Sequence, residues 1–284
     1  MVHGKAKLAI FDWDSTTADP GLTDQRHGLT DEMQEALILL QERGYKTTIN
    51  TTRDPVELLD VLGSRRETLL SPDVAIGVEN GGRIGRFENV SDELDFRTLQ
   101  VTSLQDIEIE LIIELLHKSH DIGIKFYSGN LGQGQIVWAK NSSVLREMKK
   151  VFILCKDFTV GDTTDAERLL LEYKPAYISI FGEIEPPRKL HFFVAGKERN
   201  VTSQRVDKGT SLSFIVEFEN ADVEQCIVAG DSTPDIPMLT FEGIGKRIQV
   251  KRQGLVENDD TTEYVENARE LGKYILHFIK DNKL

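Results

Sequence analysis

The sequence predicts an α/β protein in which a parallel-sheet core is interrupted by an inserted α+β cap domain. Three observations carry this. Strands and helices alternate up to about residue 82, strands then cluster between helices over about 83–199, and the alternation resumes from about residue 200. At roughly 100–200 residues per domain, 284 residues make one large domain or two modest ones, and the change of pattern selects two. The expectation is therefore a discontinuous core, residues 1–82 plus 200–284, around an insert of residues 83–199.

Each element has a local reason. Lys7–Phe11 is a short apolar run of strand length, and Thr30 is suited to cap a helix that runs to about Arg43 and stops at Gly44. Lys46–Asn50 is the next strand. Asp54 before Pro55 fits an N-cap followed by proline at the first helical position, with the helix reaching about Leu62. Val74–Gly77 is a third strand. The insert offers an acidic amphipathic helix near Leu104–His120, a strand pair at Gly123–Ser128 and Gln135–Ala139 around the turn GNLGQG, and a helix at Ser142–Cys155. Strand candidates follow at Phe158–Val160, Ala176–Phe181 and Leu190–Ala195. The returning core supplies a helix at Gly209–Asn220, strands at Cys226–Gly230 and Arg247–Val250, and a closing helix from about Thr262 to Ile279.

Composition excludes several classes. With 39% hydrophobic and 29% charged residues, the chain is neither disordered nor of low complexity. Its net charge is −13 and it has no dense Lys/Arg block, which argues against a nucleic-acid partner. The apolar runs LAIF, ALILL, YISIF and CIVAG fall far short of the ~20 residues of a membrane span. The N-terminal stretch MVHGKAKLAIFDWD meets acidic residues before a signal-peptide apolar region can form, so a cytoplasmic location is expected. Cys155 and Cys226 have neither CxxC spacing nor a Cys/His cluster, and suggest no disulfide or zinc site.

Parallel sheets present ligands at the carboxyl ends of their strands. There the sequence places Asp12-Trp13-Asp14, Asn50-Thr51-Thr52-Arg53, Glu79-Asn80-Gly81-Gly82 and Gly230-Asp231-Ser232-Thr233-Pro234-Asp235, while Arg205-Val206-Asp207-Lys208-Gly209 opens a late helix. Singly these are weak: a lone Asp-x-Asp also makes a polar strand exit, Thr51 a turn, Lys208 a solvated cation and Asp235 a helix cap. Together, an Asp pair, a hydroxyl, a Lys and further Asp in this order resemble the four motifs of the haloacid dehalogenase (HAD) superfamily. More narrowly, DWDST, NTTR, ENGG, VDKG and GDSTPDIPML are similar to the Cof-like subgroup that includes sucrose-phosphate and mannosyl-phosphoglycerate phosphatases, whose cap lies between the second and third motifs.

The resemblance implies a Rossmann-like core and a phosphatase that passes through an aspartyl-phosphate. It implies Asp12 as nucleophile and metal ligand, and Asp14 as the acid and base that also binds the metal through its backbone carbonyl. Thr51 and Lys208 become donors to the transferring phosphoryl group. Asp231 and Asp235 join the metal set for Mg²⁺, with Asp235 orienting its waters. Arg53 and Asn80 face the substrate, a small phosphorylated metabolite such as a sugar phosphate. In the cap, Lys125, Asn130, Gln133, Arg188, Lys189 and His191 are polar candidates for specificity, and Ser128–Gln135 is a candidate specificity loop. Ser15 and Thr52 stand where the subgroup often has Gly, and Pro234 where it often has Asn, which puts the hydrogen bonding of the fourth motif in question. A phosphomutase and a non-catalytic regulatory protein share this fold. The former lacks here its longer Gly-Gly-Asn-Asp motif, and the latter is expected to have lost some of these acids.

Overall fold

A computed structural model of the chain describes residues 5–18, 28–63, 66–90, 93–129, 134–151, 157–185, 190–195, 198–251 and 262–281. Among them no helix is long and apolar enough to cross a membrane. In chain order the first half runs β1 (Lys7–Phe11), α1 (Asp31–Glu42), β2 (Tyr45–Ile49), α2 (Pro55–Leu62), α3 (Arg66–Leu69), β3 (Ile76–Val78), β4 (Arg83–Val90), β5 (Glu93–Val101), α4 (Asp106–Lys118), β6 (Gly123–Tyr127), β7 (Gln135–Ala139) and α5 (Ser142–Val151). The second half runs β8 (Asp157–Val160), α6 (Thr163–Tyr173), β9 (Tyr177–Phe181), β10 (His191–Ala195), β11 (Glu198–Thr202), α7 (Lys208–Phe218), β12 (Ile227–Gly230), α8 (Ile236–Leu239), β13 (Lys246–Val250), β14 (Thr262–Val265) and α9 (Ala268–Asp281).

The core is a five-stranded parallel sheet in the order β14-β13-β12-β1-β2, and an isolated parallel bridge from Asn50 to Gly77 sets β3 beside β2. Because side chains alternate along a strand, Ala9 and Phe11 enter one apolar cluster with α1, α2 and α9, while Leu8 and Ile10 enter another with α7 and α8. Thr30 and Asp54 cap α1 and α2 as their sequence positions indicate. Thr30 Oγ1 accepts from the Met33 N–H at 3.2 Å, and Asp54 Oδ1 accepts from Val56 and Glu57 at 2.9 and 3.0 Å. The close crossing of α1 and α9 explains Gly272, where a Cβ would lie 2.5 Å from the Met33 nitrogen.

The second sheet has six strands, β10-β11-β9-β6-β7-β8, antiparallel except where β7 meets β8. Its apolar face, with Ile124, Ile178, Ile180 and Val201, packs on α4 and α6. Register places Lys125, Ser179 and Asn200 in one row on the opposite face, with Tyr127 and Gln135 paired farther along it.

Some elements differ from the sequence expectation. The closing helix begins at Ala268, and Thr262–Val265 is an edge strand, as suits its β-branched and aromatic residues. Helix α6, capped by Asp162, and strand β11 were not anticipated. Nor was the β4–β5 hairpin. It continues from β3, and Phe96, stacked edge-on against Phe87 at 5.3 Å, enters the cluster around Phe11 and Ile49. The end of the helix expected to reach Cys155 lies outside the described residues, as do Asn130, Gln133, Arg188, Lys189 and so half of the candidate specificity loop. Cys226 is buried in the second core cluster.

Candidate active site

Strands β1, β2 and β12 are neighbours or near neighbours in the sheet, so their carboxyl ends converge. The Asp12 N–H extends the ladder to Ala229 at 2.9 Å, which delivers the Asp12 side chain to the rim of the core. There Lys208, the first residue of α7, donates to Asp12 Oδ1 and to Asp235 Oδ1, each at 2.6 Å, and all three are buried. The lysine is aimed by two anchors. Asp207 caps α7 by accepting from the Thr210 N–H at 2.8 Å, and Asn50 Nδ2 donates to the Lys208 carbonyl at 2.9 Å.

The fourth motif is folded around Asp235. Its Oδ2 accepts from the Asp231 N–H at 3.0 Å, the Ser232 N–H at 2.8 Å and the Ser232 hydroxyl at 2.7 Å. Pro234 removes no donor that this network uses, because it stands in the single 3-10 turn Thr233–Asp235 that precedes α8, where an N–H has no intrahelical partner. Gly230 is required by contact: a Cβ there would lie 2.4 Å from that of Asp235. Asp231 is buried beside them, and its Oδ1 accepts from Thr16 at 3.1 Å.

Among the described residues, carboxylate oxygens of Asp12, Asp231 and Asp235 lie within 4.8 Å of one another. Three buried carboxylates lie together with one buried ammonium, which donates to Asp12 and Asp235, and this leaves acid groups in excess of cations. A hard divalent cation with oxygen ligands suits that donor set. The imbalance also appears in protonation. Burial, opposed by Lys208 and reinforced by Asp235, Asp14 and Asp231, pushes the Asp12 carboxyl well above its ordinary value. For Lys208, burial works against the charged form, but Asp12 and Asp235 outweigh it and raise the ammonium above its usual value.

Asp14 does not enter this cluster with its side chain. The carboxylate is half-exposed and held by Arg53, whose Nε and Nη2 donate to its two oxygens at 2.8 and 2.6 Å. Of the four anticipated metal-site residues, then, three bring their carboxylates together; the fourth, Asp14, was expected there through its backbone carbonyl, and its carboxylate is engaged by Arg53. Ser15 follows in a left-handed backbone (φ 62°), accommodating a side chain where glycine is the easier choice, whereas Thr52 needs no such conformation. Thr51 is buried at the exit of β2, with its N–H on Gly77 O at 2.9 Å and its hydroxyl accepting from the Arg53 N–H at 3.3 Å. Asn80 is also buried, and its N–H donates to Thr51 O at 3.1 Å, fastening the turn after β3 to the turn after β2.

Sequence reasoning assigned no part in the site to Asn50, Thr16, Glu79, Asp54 or Glu57, and read Asp54 only as a helix cap. The last two reach the second sheet: Lys125 Nζ donates to Glu57 Oε1 and Gln135 Nε2 to Asp54 Oδ2, both at 2.5 Å. His191 is not beside these groups. Its Nδ1 lies 3.1 Å from Val206 O and from Thr202 Oγ1.

A family model described as haloacid dehalogenase-like hydrolase matches residues 9–250, and the chain belongs to that family. No curated protein matches it. Among solved structures it is similar to a HAD-superfamily phosphatase from Bacteroides thetaiotaomicron, at 16% identity over 96% of this chain and 95% of that one, with a TM-score of 0.71. It is similar also to a HAD subclass IIB sugar phosphatase, at 16% identity over 96% and 99% of the two chains and a TM-score of 0.71. A HAD/COF-like protein from Plasmodium vivax aligns at 19% identity over 99% and 97%, with a TM-score of 0.69. At these identities the likeness establishes the fold, a parallel-sheet core with an added antiparallel-sheet cap.

Proposed function

We propose that this chain is a Mg²⁺-dependent phosphatase that hydrolyses a small phosphomonoester, a sugar phosphate or similar polar metabolite, through an aspartyl-phosphate on Asp12. The observation that carries the reading is the buried Lys208 bridging Asp12 and Asp235 beside Asp231, with Asp14 two residues from the nucleophile. The family match and a sugar phosphatase among the structural neighbours support it.

In this mechanism Asp12 attacks phosphorus, the bond from phosphorus to the leaving oxygen breaks, and Asp14 gives that oxygen a proton. Asp14 then takes a proton from the water that attacks phosphorus, and Asp12 and inorganic phosphate are regenerated. Lys208 offsets charge on Asp12 and on the transferring group, and the Thr51 hydroxyl donates to a phosphoryl oxygen. Arg53, whose planar fork holds the Asp14 carboxylate, suits a phosphate equally, so arrival of substrate would draw it from Asp14 and release the acid. Asp12 and Asp231, with the Asp14 carbonyl, would hold Mg²⁺, and Asp235 would fix their loop. Bound there, the ion would offset the negative charge shared by nucleophile and phosphate.

We divide the chain into a catalytic core and a cap, with joints near residues 102 and 203. The β4–β5 hairpin packs on the core, and β11 keeps residues up to Thr202 in the cap sheet. Phosphate release from a panel of phosphorylated metabolites, with Mg²⁺ and with a chelator, tests the reading. Metal-dependent turnover that Asp12→Asn abolishes is the expected result; turnover that survives the substitution would refute the role of Asp12.

A further inference from the structure

The turn after β3 and the polar face of the cap sheet meet in a seam for which the phosphoryl chemistry gives no account. Glu79 and Asn80 both take left-handed backbone, with φ of 54° and 56°, although neither is glycine. Such conformations are costly and persist where the surroundings fix them, often at sites. Here the Glu79 N–H is bound to Arg53 O at 2.8 Å and the Asn80 N–H to Thr51 O at 3.1 Å, so the strained pair is tied to the phosphate-facing loop.

Their side chains are buried and only partly satisfied. Glu79 Oε2 accepts from Arg83 Nε at 2.7 Å, while Glu79 Oε1 and Asn80 Oδ1 have no hydrogen-bond partner among the described residues. The Arg83 guanidinium lies 5.1 Å from the ring centre of Tyr127, on the cap face that carries Lys125, and the buried Tyr127 hydroxyl also lacks a partner among the described residues. Two strands from Lys125 on the same face, both amide atoms of buried Asn200 are unpartnered among the described residues. Buried polar atoms are nearly always hydrogen-bonded, so a run of orphans on facing surfaces marks a place where a ligand completes the network.

The charges say what kind of ligand. Among the described residues each cation of the seam is already neutralised: Arg53 by Asp14, Lys125 by Glu57 and Arg83 by Glu79. What is left over is acceptor capacity from Glu79 and Asn80, the donor and acceptor of the Asn200 amide, and the phenol of Tyr127. Hydroxyl groups, which both donate and accept, can satisfy all of these, whereas a second anion would face Glu79, Glu57 and Asp54 with no uncommitted cation among the described residues to meet it.

We infer that this seam recognises the leaving group, and that it selects a neutral polyhydroxyl group and rejects one bearing a carboxylate or a second phosphate. This rests on the phosphatase reading above. The test uses the full chain with Mg²⁺ and measures kcat/KM for p-nitrophenyl phosphate and for a series of sugar and polyol phosphates. Each of these is paired with its carboxylated counterpart, as glucose 6-phosphate is with 6-phosphogluconate. The neutral member of the best pair is expected to be preferred by about tenfold or more. Tyr127→Phe, which removes only an oxygen, and Asn80→Ala should each lower the ratio of sugar phosphate to p-nitrophenyl phosphate turnover by about tenfold, the effect of losing one buried hydrogen bond. A preference for the carboxylated members, or a ratio unmoved by Tyr127→Phe, overturns the inference while p-nitrophenyl phosphate turnover stands. Loss of turnover of every compound, p-nitrophenyl phosphate included, overturns the phosphatase reading and this inference with it.

Discussion

Lys208 is the only cation that touches both Asp12 and Asp235 among the described residues, and that contact defines its contribution. Lys208→Ala should lower kcat by about two to three orders of magnitude, as loss of one preorganised charge-stabilising donor does, with phosphate release as the readout. Asp14→Asn should cost a similar or larger factor, about 10²–10⁴, through loss of the proton donor. Its deficit should shrink for phosphate esters whose leaving group needs no protonation, which a purely structural defect would not produce. The carboxylates, Thr51 and Lys208 were legible in the sequence because each sits at a strand exit or a helix start. Asn50 and Thr16 were not. They work through Lys208 and Asp231, which lie 158 and 215 positions away along the chain, and nothing local to an Asn or a Thr announces such a contact.

Helix α2 shows how an element carries charge from one part of the molecule to another. Its cap, Asp54, is pushed up to about 7, first by burial and then by the charge of Glu57, with Lys125 acting in the opposite sense. Glu57 feels burial too, but Lys125 and Arg53 hold it below its ordinary value. Between 3.8, the ordinary value, and about 7, the folded protein retains a proton on Asp54 that the unfolded chain has released, so this contribution to stability is lost as pH rises through that window. Asp54→Asn keeps a good cap and removes the titration. Its melting temperature, followed by circular dichroism, should therefore fall less than that of the parent between about pH 5 and pH 8. Equal slopes would show that Asp54 does not titrate in that range. The caps of α1 and α2 were readable because capping is a local property. The β4–β5 hairpin was not, because it buries little beyond Ile84, Phe87 and Phe96 and its value lies in what those side chains reach.

At the scale of the whole molecule, core and cap are linked by Lys125 with Glu57 and Gln135 with Asp54, close to the loop that carries Arg53. Lys125 and Glu57 are a largely buried pair, and removing one partner strands the other. Lys125→Met should loosen this contact, seen as faster amide exchange in α2 and in the β6–β7 pair while β1 and β12 remain protected. Unchanged exchange in α2 would show that the pair does not hold the cap to the core. That a separate unit interrupts the parallel sheet was visible in the sequence as a change of periodicity. Which face of that unit turns toward the core was not, since strand register decides it and the pairing of β6 with β9 joins segments about fifty residues apart.

The central claim is that Asp12 becomes covalently phosphorylated, and borohydride trapping during turnover addresses it directly. Reduction of an acyl phosphate at this carboxyl converts aspartate to homoserine, which peptide mass spectrometry reads at position 12. The expected result is homoserine at Asp12 only when substrate and Mg²⁺ are both present, and none in Lys208→Ala under the same conditions. Phosphate release proceeding at full rate with Asp12 never reduced, or reduction found at another aspartate, would contradict the account.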